Sequence, residues 1–256
     1  MMEFTDKVVL ITGAAGGIGL AAAKKYAEQG AKLSLVDLSQ EGLEKAAGEI
    51  DAEKLLLGAD VTKEEEVENY VRQTKERFGR IDVFINNAGI NGDFKNIVDQ
   101  TVENLDKVFS VNVVGAFLGL KHVLKVMIEQ KSGSVVNTAS NGGLLGAPGM
   151  SLYVASKHAL LGINKSAALE VADYGIRVNA VAPSGVDTAM MRSIETNAAK
   201  GHEEEARKGF EASVPMNRYA TAEEIADLML FLSSDRASFI TGSYYRIDGG
   251  QGATSV

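Results

Sequence analysis

Tyr153 and Lys157 stand four residues apart, so a helix carrying both sets a phenol and an ammonium on one face, one turn apart. A phenol ordinarily titrates near 10 and is a poor base at neutral pH. A neighbouring cation favours the phenolate, while burial works against it, so the pair becomes an acid/base only where the cation prevails. Ser140 closes the apolar run 134–139, where its hydroxyl can hold a substrate oxygen beside that phenol. Asn112 lies inside the apolar helical run 111–120, where a buried amide must find hydrogen-bond partners. These types suit proton transfer at an oxygen-bearing carbon. His122, His158 and His202 lack metal-ligand spacing and read as structural or solvated. The chain has no Cys, which excludes disulfides, thiolate metal sites and a cysteine nucleophile.

A second group could hold a dinucleotide. The run 8–11 passes into Thr12-Gly13-Ala14-Ala15-Gly16-Gly17-Ile18-Gly19 and then a helical pattern. Glycines admit backbone to a pyrophosphate, and free N–H groups with the positive dipole of a helix N-terminus face the anion. Asp37 closes the next strand pattern, where a carboxylate accepts ribose hydroxyls and repels a 2′-phosphate. Ala14, Ala15 and Leu38 offer no cation to pair such a phosphate, so NAD is expected rather than NADP.

The elements that must position these groups follow from periodicity. Seven short apolar runs, at 8–12, 33–37, 54–59, 82–86, 134–139, 177–182 and 243–247, alternate with helical patterns at 17–29, 39–50, 63–78, 102–130, 152–174 and 222–233. This is the βαβ pattern of an α/β protein with a parallel sheet covered by helices on both faces. Thr62 with Glu65 and Thr221 with Glu224 have capping-box spacing and predict two helix starts. Residues 184–213 hold mixed helical signals, Met190-Met191 and the acidic run 203–205, and read as a lid.

With 26 Lys+Arg against 34 Asp+Glu, the net charge of −8 disfavours a nucleic-acid partner. The opening residues predict no secretory leader and no uncharged stretch reaches the ~20 residues of a membrane helix, so a soluble, cytoplasmic protein is expected.

In order and spacing, Thr12 to Gly19, Asn86-Asn87-Ala88-Gly89, Asn112, Ser140 and Tyr153-Val154-Ala155-Ser156-Lys157 resemble the short-chain dehydrogenase/reductase family. The likeness continues in Arg177-Val178-Asn179-Ala180-Val181-Ala182-Pro183, Asp187-Thr188, Ile240-Thr241-Gly242 and Asp248-Gly249-Gly250. The resemblance implies a single Rossmann-type, doubly wound, seven-stranded domain over 1–256. It further implies that Tyr153 is the acid/base, Lys157 lowers its pKa and holds the nicotinamide ribose, Ser140 orients the substrate oxygen and Asn112 anchors a proton-relay water. For the cofactor it implies Gly13, Gly16, Gly17, Ile18, Gly19, Asp37, Leu38, Asp60, Val61, Asn87, Ala88, Gly89, Pro183, Val186 and Thr188. One departure is Pro183-Ser184-Gly185, where the family has glycine directly after proline. The family also implies a homotetramer, with the helices at 102–130 and 152–174 at one interface and 243–247 at another.

Substrate contacts are expected from Ser140, Gly142, Met150, Gly185, Met190 and Met191, with Asn91, Asp93 and Leu144 as further lining. This set lacks a basic clamp, which suits a small uncharged secondary alcohol or ketone. The stretches 4–13 and 135–140 resemble the cyclic-ketone reductase branch of the family. A 3-oxoacyl-thioester reductase is the alternative within the family. From other classes stand a non-catalytic NAD-binding regulator and a serine hydrolase, the latter on Thr138-Ala139-Ser140-Asn141-Gly142, which lacks the first glycine of a nucleophile elbow.

Overall fold

In the computed structural model, residues 2–253 are described. Seven parallel strands form one sheet in the order β3-β2-β1-β4-β5-β6-β7. They are β1 Val8–Thr12, β2 Lys32–Asp37, β3 Lys54–Gly58, β4 Val83–Asn86, β5 Gly133–Thr138, β6 Ile176–Pro183 and β7 Tyr244–Ile247. All seven lie within one residue of the expected runs. The chain steps from β1 outward to β3 and then returns to place β4 beside the other edge of β1. Neighbouring connections therefore diverge between β1 and β4, leaving a crevice beyond the strands' carboxyl ends.

The helices are α1 Gly17–Glu28, α2 Gln40–Ala47, α3 Glu64–Phe78, α4 Val102–Phe109, α5 Ala116–Gln130, α6 Ser151–Val171, α7 Ala189–Ala198, α8 Glu203–Ala212 and α9 Ala222–Ser233. Successive strand side chains point to opposite faces. Val9 and Ile11 of β1 accordingly pack with α1 and α9 through Ala22, Tyr26, Ile225 and Met229. Leu10 packs on the other face with Val67, Tyr70, Leu120 and Val171 of α3, α5 and α6.

Three expectations change. The single helix at 102–130 is interrupted by a π-helical turn at Ser110–Gly115, which carries Asn112. As one helical run of 29 residues it is long and apolar enough to cross a membrane, and just over half of its most apolar window, 56%, is buried within the protein. Thr62 and Glu65 form no capping box: Lys63 is the N-cap of α3, and the Thr62 hydroxyl donates to Asp60 Oδ1 at 2.7 Å. The nearer carboxylate two residues back outcompetes the helix end. Thr221 and Glu224 do form their box at α9. The expected helix at 39–50 is shorter, because Ser39 is the N-cap and α2 stops at Ala47.

Candidate active site

The glycine turn leaves β1 and enters α1 through Gly17, whose φ of +52° is a backbone conformation that side chains resist. A β-carbon at Gly16 would meet nothing within 4 Å, so this backbone faces open space. Gly19 lies off the cavity wall; a β-carbon there would collide with the Gly13 carbonyl oxygen, so its role is close packing beneath the turn. Asn87 braces the cradle: its amide donates to the carbonyls of Thr12 and Gly13, and accepts from the Thr138 hydroxyl at 3.1 Å. The Asp37 carboxylate accepts from the N–H groups of Ala15 at 2.9 Å and Leu38 at 2.8 Å. It holds the turn as well as facing the cavity, and each oxygen keeps a lone pair for a ribose hydroxyl.

Beyond β5 the backbone stays extended to Ser140, whose Oγ accepts from Gly142 N–H at 3.0 Å. Tyr153 and Lys157 project from the first two turns of α6. Ser140 hydrogen-bonds the Tyr153 hydroxyl. Lys157 Nζ lies 5.7 Å from the Tyr153 ring centroid and donates to the Thr138 carbonyl at 2.7 Å. Burial pushes the Tyr153 phenol above its ordinary value, and the Ser140 hydrogen bond opposes this in part. Burial also lowers Lys157 to about 8. In the protein alone, desolvation therefore outweighs the cation expected to lower the Tyr153 pKa.

Asn112 sits off the cavity, buried. Its Oδ1 accepts from Ile90 N–H at 2.8 Å, and its Nδ2 donates to the Ile90 carbonyl at 2.8 Å and to Ser156 Oγ at 3.0 Å. The π turn swings this amide out of helical register toward the loop after β4; such bulges recur at functional sites. Ser156 in turn donates to the Tyr153 carbonyl at 2.7 Å. A buried amide chain that sequence reading missed, Asn86 to Asn137 at 2.9 Å and Asn137 to Asn164 at 3.0 Å, ties β4 and β5 to α6.

One cavity of about 850 Å³ joins the cradle to Ser140, Tyr153 and Lys157. Gly13, Gly16, Gly17, Ile18, Asp37, Leu38, Asp60, Val61, Asn87, Ala88 and Gly89 line its long arm. Pro183, Val186 and Thr188 line the middle, and Gly142, Met150, Gly185, Met190 and Met191 the far end. A glycine cradle at a helix N-terminus, the Asp37 carboxylate in the same wall and this volume fit a dinucleotide. Asn91, Asp93 and Leu144 do not line it. Asp93 pairs with Lys95, and Leu144 packs against the buried Ala139, Leu161 and Ala180. Phe210, Ile194 and Tyr219 do line it and had no local signal; Phe94 joins them in the apolar cluster of the far wall. The segment 184–213 supplies α7 and α8, with the acidic run in the first turn of α8.

Among the described residues the wall carries one lysine, Lys157, and neither arginine nor histidine. His122 meets Glu64 at 3.0 Å, His158 its own helix backbone, and His202 lies 3.6 Å from Glu205. Among the described residues no three His, Cys, Asp or Glu gather to hold a metal ion.

A family described as enoyl-(acyl carrier protein) reductase matches residues 13–251. Levodione reductase of Leifsonia aquatica is 48% identical over 259 aligned positions, spanning 98% of this chain and 96% of that protein. The crystal structure of levodione reductase matches with a TM-score of 0.97 at 47% identity, covering 98% of this chain and 100% of the other. That of NAD+-bound xylitol dehydrogenase matches at 0.93 and 38% identity, covering 97% and 100%. Likeness in sequence and fold over nearly the whole length leaves one placement: the chain belongs to the short-chain dehydrogenase/reductase family.

Proposed function

We propose that this protein is a cytoplasmic, NAD-dependent oxidoreductase of small uncharged secondary alcohols and their ketones, cyclic ones above all, acting as a single catalytic domain. The observation that carries the reading is the meeting of Ser140, Tyr153 and Lys157 in the cavity that also contains the glycine cradle and Asp37. Asp37 with no arginine on the wall favours NAD over NADP. Levodione reductase, the relative described above, is named for a ketone substrate.

When bound, NAD supplies the hydride acceptor for oxidation or the donor for reduction. Ser140 holds the substrate oxygen. Tyr153 takes the substrate's hydroxyl proton on oxidation and returns it to the carbonyl oxygen on reduction. Burial pushes the phenol up in the protein alone, so positive charge beside it, from Lys157 and from an oxidised nicotinamide when bound, would favour its use as a base. Lys157 would hold the nicotinamide ribose, and Val186 and Thr188 its carboxamide. Asn112 fixes the Ile90 backbone and, through Ser156, the turn of α6 that carries Tyr153. An acyl-thioester reductase is disfavoured by the absence of a basic clamp on the described wall, and a serine hydrolase by the absence of a histidine there.

We further propose a homotetramer. Val114 and Phe117 on the α4 to α5 run, Leu169 on α6 and Tyr244 of β7 are exposed apolar side chains within the segments that the family resemblance implies as interfaces. The functional test is titration with NAD and NADP, followed by turnover of cyclic and linear secondary alcohols by wild type and Tyr153→Phe. Tighter NAD binding, with turnover reduced roughly 10²- to 10⁴-fold in the variant, is expected. Unchanged turnover in the variant overturns the assignment of Tyr153, and NAD binding with no turnover of any alcohol makes the protein a regulator.

A further inference from the structure

The displaced glycine of Pro183-Ser184-Gly185 has a specific neighbour. A β-carbon on Gly185 would lie 2.7 Å from Cδ1 and 2.9 Å from Cε1 of Tyr219, so the Tyr219 ring occupies the place of the missing side chain. The two residues belong to segments stitched together by backbone: Ala220 N–H donates to the Gly185 carbonyl at 3.0 Å, and Asp187 N–H to the Ala220 carbonyl at 2.9 Å.

The ring is held at its other end too. Tyr219 Oη donates to Glu195 Oε1 of α7 at 2.8 Å. Glu195 is buried and paired to Arg192 at 2.8 Å, and Arg192 also reaches Asp187 at 2.8 Å. The guanidinium groups of Arg192 and Arg207 lie 5.4 and 5.5 Å from the ring centroid, a cation–π arrangement. Tyr219 thus cannot slide along its axis without breaking a buried charge-assisted hydrogen bond. Its ring packs with Met191 and Ile194 of the lid, and with Phe94, Met150 and Phe210, around the chamber's far end.

We infer that Gly185 and Tyr219 form the size filter of the substrate chamber: the ring, seated on the glycine and pinned by Glu195, is the rigid wall that sets the largest ketone admitted beside Ser140. The remaining far wall contains three methionines, Met150, Met190 and Met191, which adapt to a guest; the clamped ring does not. This inference rests on the ketone reading above and adds which residue pair limits its substrates.

The test uses purified enzyme with NADH and four ketones of rising bulk: cyclopentanone, cyclohexanone, 2-methylcyclohexanone and 2,6-dimethylcyclohexanone. One methyl group in an apolar pocket is worth roughly 10- to 200-fold in kcat/KM. Tyr219→Leu is expected to raise the ratio of kcat/KM for the dimethyl ketone over cyclohexanone by about tenfold or more, at the low end of that range. Gly185→Ala, whose methyl group adds bulk at the chamber wall and collides with the ring, is expected to lower it by a similar factor. Tyr219→Phe keeps the ring on its seat, so it is expected to hold the ratio within about twofold while its melting midpoint falls through loss of the Glu195 hydrogen bond. If Gly185→Ala does not fold, the Leu and Phe variants decide alone. A Tyr219→Leu enzyme that scales all four ketones by one factor overturns the filter while leaving the ketone reading intact. A wild type that binds NADH and reduces none of the four overturns both.

Discussion

Replacing Lys157 by Met removes the buried ammonium while keeping a similar volume, and the structure sets the size of the stability change. Burial lowers the lysine from 10.5 to about 8. At roughly 1.4 kcal/mol per tenfold change in proton affinity, the folded protein bears a cost of about 3 kcal/mol for holding that charge at neutral pH. Against this, the variant loses the hydrogen bond from the charged Nζ to the Thr138 carbonyl, worth about 2 kcal/mol because its donor is an ammonium. Lys157→Met is therefore expected to be about 1 kcal/mol more stable at pH 7, a rise of roughly 2–4 °C in melting midpoint for a chain of this size. The pH dependence follows from the same numbers. Between about 8 and 10.5 the unfolded chain binds the proton that the folded one has released, so wild-type stability rises with pH through that window. Below 8 both states are protonated and the cost is present in full. Urea unfolding of both proteins without cofactor, followed by circular dichroism at pH 7, 8, 9 and 10, gives a difference curve in which other titrating groups cancel. The gap should be widest at pH 7 and narrow toward pH 10, while alcohol turnover is lost. A variant no more stable than wild type at pH 7, with a flat difference curve, would refute the claim that a charged Lys157 is held at the folded state's expense.

Asp37→Ser is expected to lower the NAD-to-NADP affinity ratio by about tenfold or more, through lost ribose contacts and removed repulsion of a 2′-phosphate; fluorescence titration with both cofactors measures it. Because Asp37 also accepts from Ala15 N–H, a fall in melting midpoint should accompany the change. Gly19→Ala forces α1 away from the Gly13 carbonyl and is expected to cost about 1–3 kcal/mol together with a clear loss of NAD affinity, read by unfolding and by calorimetry. Wild-type NAD affinity in that variant would separate the close packing of Gly19 from the shape of the cradle.

Much of this protein was legible because its signals are local. β1 and β4 read as unbroken apolar runs because helices cover both faces of a parallel sheet, and every residue of both is buried. The glycine turn, the four-residue spacing of Tyr153 and Lys157, and the Thr221 to Glu224 box each need a few neighbouring residues and no distant partner. Other features depended on contacts far apart in sequence. The π turn at Asn112 has no composition of its own; the amide there bridges Ile90 and Ser156, 22 and 44 residues away. Thr62 had the spacing of a cap, but Asp60 takes its hydroxyl, a competition that spacing does not express. Tyr219, Ile194 and Phe210 reach one chamber wall from three separate segments, so only folding makes them neighbours. The protonation balance of Tyr153 was decided in the same way. The sequence placed a cation one turn away, but the phenol's burial, set by everything packed around it, governs its pKa in the protein alone. The types and spacing of the reacting groups were thus written locally, whereas desolvation and the shape of the pocket are properties of the whole packed chain.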